Sequence, residues 1–234
     1  MSARFAVYLA PEPEEALWHF GSSWLGYDAE SRADLAHPDN ARIASDILRE
    51  ATAHPRLYGL HVTLKAPFRL APDVNADHIV PAVAELAERH RRFGPIALSL
   101  EARPAGEGRV FLCLAPSARS EALHALEADA VVALDRFRAP LSPSELARRN
   151  PGALPQKERR YLQTYGYPYV LEVFRPHISL TGPIAPDSPV HEALSRQLTE
   201  KPALALLNCI SIALFEQPEP GARFHIRQRF PLRA

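Results

Sequence analysis

The sequence predicts an α+β fold made of two similar units. Three observations carry that expectation. Of the 234 residues, 47% are hydrophobic and 23% are charged, the make-up of a folded globular chain. Short β-like runs are interleaved with amphipathic helical runs, divided by 23 dispersed prolines. The order strand, helix, strand, strand occurs twice, at an offset of about 116 residues.

The first unit opens with a strand over 3–10, carrying Phe5, Val7, Tyr8 and Leu9. Pro11-Glu12-Pro13-Glu14-Glu15 then starts a helix, since proline and acids suit a first turn. Trp18 and Trp24 on it are expected to cover the core. Ile43, Ile47 and Leu48 space a helix over 39–53, which His54-Pro55 should end. Residues 58–65 are β-like and should stop at Pro67. Ile79, Val83, Leu86 and Phe93 share one face of a helix from Asp77 to Phe93, with Gly94 as its C-cap. Residues 95–102 and 108–114 predict a hairpin around Gly106 and Gly108.

The second unit begins with a helix from Ser117 to about Leu134. Ser142-Pro143-Ser144-Glu145 is a capping box with proline at the first helical position. A short helix is expected around Gln156–Gln163, then strands at 168–173 and 176–181. Ser188-Pro189 opens a helix to about Glu200. Residues 203–215 predict one long strand, paired with 222–230 across Pro218-Glu219-Pro220-Gly221. The proline-marked stretch 138–166 looks like a connection between two halves, about 1–116 and 117–234, of a single domain.

Composition narrows the function. The 27 basic and 27 acidic side chains cancel, which argues against coating long nucleic acid, where affinity needs excess Lys and Arg. No apolar stretch reaches the ~18 residues of a membrane span, and the N-terminus lacks the regions of a signal peptide. Cys113 and Cys209 each sit in an apolar run and predict reduced core thiols. A cytoplasmic location is the resulting expectation.

The chemistry is carried by a repeat. Residues 61–68 read His-Val-Thr-Leu-Lys-Ala-Pro-Phe, and residues 177–184 read His-Ile-Ser-Leu-Thr-Gly-Pro-Ile. His, Leu and Pro are identical; Val/Ile, Thr/Ser, Ala/Gly and Phe/Ile match in size or chemistry; Lys65 against Thr181 differs in kind. On a strand, successive side chains point to opposite faces. His61, Thr63 and Lys65 then share one face, and Leu60, Val62 and Leu64 the other. Arg175, His177, Ser179 and Thr181 likewise share a face, with Ile178 and Leu180 turned inward. The other eight histidines lack such matching and are expected to be solvated, with His225, on a strand, the exception to check.

If two such units face each other, their cleft holds two imidazoles and two hydroxyls. In-line displacement at phosphorus needs a base on the nucleophile side and an acid on the leaving-group side. Two histidines, with ordinary pKa values of about 6.5, can divide those roles. Thr63 and Ser179 can donate to non-bridging phosphoryl oxygens. Lys65 and Arg175 are further cleft-facing candidates for holding phosphate. No metal and no cofactor are expected, since neither octet offers the three or four ligands of a zinc site.

The duplicated His-x-Thr/Ser motif resembles that of the 2H phosphoesterase superfamily. The wider text, Phe20-Gly21-Ser22-Ser23-Trp24-Leu25-Gly26, Tyr58 to Phe68, Gly166-Tyr167-Pro168-Tyr169-Val170 and Ala213-Leu214-Phe215-Glu216-Gln217, resembles the DUF1045 family, a bacterial branch associated with phosphonate metabolism. The resemblance covers essentially the whole chain. It implies two pseudo-symmetric lobes, each an antiparallel sheet with flanking helices, around a central cleft. It implies His61 and His177 as the acid/base pair and Thr63 and Ser179 as phosphate-binding hydroxyls; strand parity, not the resemblance, adds Lys65, Arg175 and Thr181 as candidate substrate contacts. The activity implied is opening of a cyclic phosphodiester or cleavage of a small linear one, a sugar phosphate being one candidate. The partner expected is this small phosphorylated substrate, not a membrane. Two other readings stay open: processing of RNA 2′,3′-cyclic phosphate ends, which the balanced charge disfavours, and non-catalytic binding of a phosphorylated metabolite. Stretch 138–166 could lid the cleft.

Overall fold

The computed structural model describes residues 3–38 and 43–234. Eight strands form the framework: β1 (Arg4–Leu9), β2 (Val62–Arg69), β3 (Phe93–Pro104), β4 (Val110–Pro116), β5 (Ile178–Ser179), β6 (Leu206–Cys209), β7 (Ser211–Gln217) and β8 (His225–Pro231). The helices are α1 (Ala16–Leu25), α2 (Ser45–Ala51), α3 (Ala53–Arg56), α4 (Ala76–Arg89), α5 (Glu121–Ala133), α6 (Pro143–Arg148), α7 (Gln156–Tyr165) and α8 (Pro189–Glu200). The fold is α+β, as the sequence predicts.

The strands join in one sheet, ordered β6-β3-β4-β5-β2-β1-β7-β8, and the pairings are antiparallel. Its two four-strand halves, β6-β3-β4-β5 and β2-β1-β7-β8, meet where β5 pairs with β2. Each half takes two strands from either half of the sequence, so the two units interleave rather than folding as separate sheets. β6 and β7 are separated only by Ile210, yet occupy the first and seventh places. That is possible only because the sheet curls until its ends approach. Backbone bonds between Arg92 and Arg233 (2.9 Å) and between Arg233 and His90 (2.9 Å) tie the end of β8 to the start of β3.

Several sequence expectations shift for local reasons. β2 does not stop at Pro67 but runs to Arg69. Val7 faces Lys65 and Phe5 faces Phe68, so Ala66 and Pro67 together oppose Ala6. Such a bulge is one of the places a strand tolerates a residue without an N–H. α4 ends at Arg89 with His90 as C-cap, and Phe93 and Gly94 already belong to β3. The 39–53 helix is seen as α2 and α3, and His54 and Pro55 lie inside α3; residues 39–42 are outside the described range. The strand expected at 168–173 is a 3₁₀ turn at Leu171–Val173. The apolar run 203–215 divides into a 3₁₀ turn (Pro202–Ala205), β6 and β7, because hydrophobicity marks burial but not a change of neighbour.

The core lies along the sheet face that carries Leu60, Val62, Leu64, Ile178 and Leu180, all essentially inaccessible. Their alternation with the motif residues is the predicted one. Burying such side chains contributes about 1.5–3 kcal/mol each. Trp18 and Trp24 on α1 are buried, and Trp24 Nε1 donates to the Leu180 carbonyl at 3.0 Å. That bond ties α1 to the chain just beyond β5, behind the second motif. The Ser142–Glu145 capping box forms at α6. Among the described residues, no helix is long and apolar enough to cross a membrane.

Candidate functional site

The two motifs meet at the junction of the sheet halves. Val62 pairs with Ile178 in the antiparallel ladder, which sets Thr63 across from His177 and His61 across from Ser179 on one face. Side chains so opposed lie about 5 Å apart at Cβ, and diagonal ones about 7–8 Å. The two imidazoles are thus diagonal neighbours, at a span that suits a phosphoryl group. The motifs do not sit on two facing sheets; they share the centre of one. His61, Thr63, His177 and Ser179 all line a single cleft of about 870 Å³.

The two rings are held in the same way. His61 Nδ1 lies 2.9 Å from the Gly59 carbonyl, and His177 Nδ1 lies 2.8 Å from the Arg175 carbonyl. A carbonyl oxygen only accepts, so each Nδ1 carries the hydrogen. Each neutral ring then keeps Nε2 as an acceptor. At His61 that acceptor meets Thr63 Oγ1 at 3.1 Å, so the hydroxyl donates. Gly59 makes its part possible: its φ is +76°, a conformation that favours glycine, and a Cβ there would come within 2.8 Å of the Ala29 Cβ.

The surroundings of the rings differ. The Tyr8 ring on β1, across from Thr63, stacks on His61 with centroids 3.6 Å apart. Burial pushes the His61 imidazole down to about 4; the Gly59 bond opposes this, and His177 adds a small downward push. Burial also lowers His177, the Arg175 carbonyl bond opposes, Arg103 lowers it further and Glu101 raises it. The Phe111 ring lies 5.6 Å from His177.

The remaining candidates separate. Arg175 lines the cleft. Lys65 does not: α5 packs over that end of β2, and Lys65 Nζ is buried against the Val131 carbonyl (2.9 Å) and Asp135 Oδ1 (2.8 Å). Thr181 is also withdrawn, since the chain bends after β5 and Thr181 Oγ1 accepts the Leu112 N–H at 2.9 Å. Strand parity held for both octets only as far as the hydroxyls. His225 is buried on β8 and is not part of the cleft. His54, expected to be solvated, lines it beside Tyr58.

Sequence reasoning missed Tyr8, Glu101, Arg103, Phe111, Glu127, Arg149 and Tyr167, all in the cleft wall. Glu101 faces Cys113, which faces Ser179, across β3, β4 and β5; only the register places them there. Tyr8 had a signal, the alternation along β1. Arg149, at the C-cap of α6, brings stretch 138–166 to the cleft, its guanidinium 5.0 Å from the Tyr167 ring. The same stretch is tied down by the Arg69–Glu145 ion pair at 2.8 Å. Among the described residues, no three His, Cys, Asp or Glu side chains are grouped so as to hold a metal ion.

Fold and site together define an α+β protein whose cleft carries two matched histidine–hydroxyl pairs. Residues 63–225 match the family model "Protein of unknown function (DUF1045)". The chain belongs to that family; His61 lies two residues before the matched span. Two curated relatives are each described as "Ribose 1,5-bisphosphate phosphokinase PhnN". That of Janthinobacterium sp. (strain Marseille) is 30% identical over 233 residues, covering 97% of this chain and 50% of its own. That of Laribacter hongkongensis (strain HLHK9) is 34% identical over 223 residues, covering 95% and 50%. The chain spans about half the length of the curated relatives it matches. The crystal structure of E. coli LigT in apo form is similar over 100% of this chain and 99% of its own, with a TM-score of 0.46 and 14% identity.

Proposed function

We propose that this chain is a phosphodiesterase that opens a small cyclic phosphodiester, or cleaves a small linear one, by two-histidine acid/base catalysis without a metal. The observation that carries the reading is the matched pair of Nδ1–H bonds to the Gly59 and Arg175 carbonyls. They leave both Nε2 atoms as the proton-handling positions of one cleft. In the reaction, the neutral ring takes a proton from water as its oxygen attacks phosphorus. The protonated ring gives its proton to the departing ester oxygen. One P–O bond forms, one breaks, and the product is a phosphomonoester. Ser179 donates to a non-bridging oxygen, and Thr63 does the same once substrate turns its single O–H away from His61 Nε2, which frees that nitrogen; charge builds on these oxygens in the transition state.

The relatives' name supports a place in ribose phosphate chemistry, the DUF1045 resemblance implies a link to phosphonate metabolism, and a sugar phosphate is the substrate class we favour. Their kinase activity is not what this cleft suggests. None of the lysines, Lys65, Lys157 and Lys201, follows a glycine, so the chain has no G-x-x-x-x-G-K-[ST] phosphate loop. The test is a phosphorus NMR screen of cyclic and linear phosphodiesters, sugar phosphates included, with EDTA present. Conversion of one of them to a monoester supports the reading. Turnover of none, with tight binding of a phosphorylated metabolite, would replace it by the non-catalytic one.

A further inference from the structure

Glu127 lies in the middle of α5, a helix otherwise turned to the core with Leu123, Leu126 and Ala130. Its side chain is buried, 1% exposed, yet it borders the cleft. An acidic group in such a place needs a partner. Both its carboxyl oxygens face the backbone N–H of Leu171, at 3.1 and 3.3 Å. Leu171 is itself unusual: its φ is +57°, a left-handed conformation that costs a bulky residue of order 1–3 kcal/mol and persists only where its surroundings hold it. It opens the 3₁₀ turn Leu171–Val173, and Phe174 and Arg175 follow directly. The Arg175 carbonyl is the acceptor of His177 Nδ1–H and also receives Arg103 at 3.4 Å.

We propose that Glu127 is a positioning residue for His177, pinning the left-handed turn at Leu171 so that the Arg175 carbonyl is placed to orient the imidazole. His61 needs no such device, because its acceptor carbonyl belongs to Gly59, for which a positive φ is no strain. The two halves of the site therefore solve the same problem differently: a glycine at one histidine, a buried carboxyl at the other. The charged group that faces Glu127 is Lys65 on β2, itself paired with Asp135, which Arg138 also holds. Burial pushes the Glu127 carboxyl up to about 8, with the Leu171 bond and Lys65 opposing. A glutamine keeps an oxygen at the same reach and removes only the ionisation.

This role rests on the paired-histidine reading, and its test separates the two. Imidazole nitrogen and proton NMR on the full chain reports the Nδ1–H of each histidine and its titration without any substrate. Glu127→Ala should lose the protected Nδ1–H of His177 and, because the Arg175 carbonyl bond is what opposes the effect of burial, move its titration further down from the ordinary value near 6.5. His61 should not change, and Glu127→Gln should keep both His177 signals. Activity should fall about 10- to 100-fold in the alanine variant, the scale of a misplaced catalytic group, and be largely retained in the glutamine one. Glu127→Asp, which withdraws the carboxyl by one methylene, should match alanine and decides the matter where alanine does not fold. An unchanged His177 resonance and titration in either truncated variant overturns the role of Glu127. Wild-type protein inactive on every phosphodiester, with the His177 signals still responding to Glu127, overturns the phosphodiesterase reading and leaves the positioning link standing.

Discussion

The Tyr8 ring lies almost flat on the His61 imidazole, the planes 13° from parallel and the centroids 3.6 Å apart. Both are anchored in neighbouring strands, with Tyr8 across from Thr63. One strand residue thus shields His61 while Thr63 donates to its Nε2. Tyr8→Phe preserves the stack and should retain most activity. Tyr8→Ala opens the ring to water, so the His61 titration should rise from about 4 toward the ordinary value, and activity should drop about tenfold or more. NMR titration of His61 in the two variants checks this; equal pKa values in both would show that the stack does not matter.

Truncating either histidine should be costly. His61→Ala and His177→Ala should each lose about 10²–10⁴-fold in rate, and the double variant less than the product of the two losses. Thr63→Val and Ser179→Ala should lose less. Thermal unfolding should be near wild type for His177→Ala, whose ring is only partly covered. Steady-state rates on an authenticated phosphodiester make the comparison.

The pH profile should differ between free and bound protein. Burial lowers both imidazoles in the free protein, His61 to about 4. The productive form has one ring charged and one neutral, so kcat/KM should follow a bell centred below pH 6.5. A bound phosphoryl anion favours the imidazolium and raises both values, so the kcat bell should lie at higher pH. Coincident bells centred well above pH 7 would contradict the burial argument.

Stability should carry the signature of Glu127. In the unfolded chain its carboxyl loses the proton near 4.5, whereas the fold holds it until about 8. Between those values the native state binds more protons, so stability falls as pH rises. Glu127→Gln should flatten that decline without reversing it, since other groups titrate too. Urea unfolding from pH 5 to 9 measures it, and parallel curves for the two proteins would count against the assignment.

Lys65 should behave as a structural residue. Lys65→Met removes its bonds to Val131 and Asp135, but Arg138 still pairs with Asp135 at 2.9 Å. The loss should therefore fall below the ~3–5 kcal/mol of a fully orphaned buried charge. KM should hardly move; a large rise in KM would return Lys65 to the substrate.

The sequence made the motif pair and its alternation legible, because His, hydroxyl and inward Leu repeat at strand spacing in two places. It also made α4, α5, α8 and the two hairpins legible, since their caps and turns are local. What it hid depends on distant neighbours. Lys65 shares the parity of His61, but α5 covers it. Thr181 shares the parity of Ser179, but the chain bends after two strand residues. Residues 203–215 look continuous, but β6 and β7 serve opposite parts of the sheet. Glu127 looks like one more polar helix residue until Leu171 is seen to adopt a positive φ beneath it.

The proposed phosphodiesterase activity requires His61 and His177 to act as one metal-independent pair on phosphorus. The direct measurement follows a five-membered cyclic phosphodiester by phosphorus NMR in excess EDTA, with wild-type protein and His177→Ala side by side. The cyclic resonance should give way to a monoester resonance in the wild type and persist in the variant. Equal turnover by both proteins, or wild-type turnover that EDTA abolishes and one divalent metal restores, would contradict it.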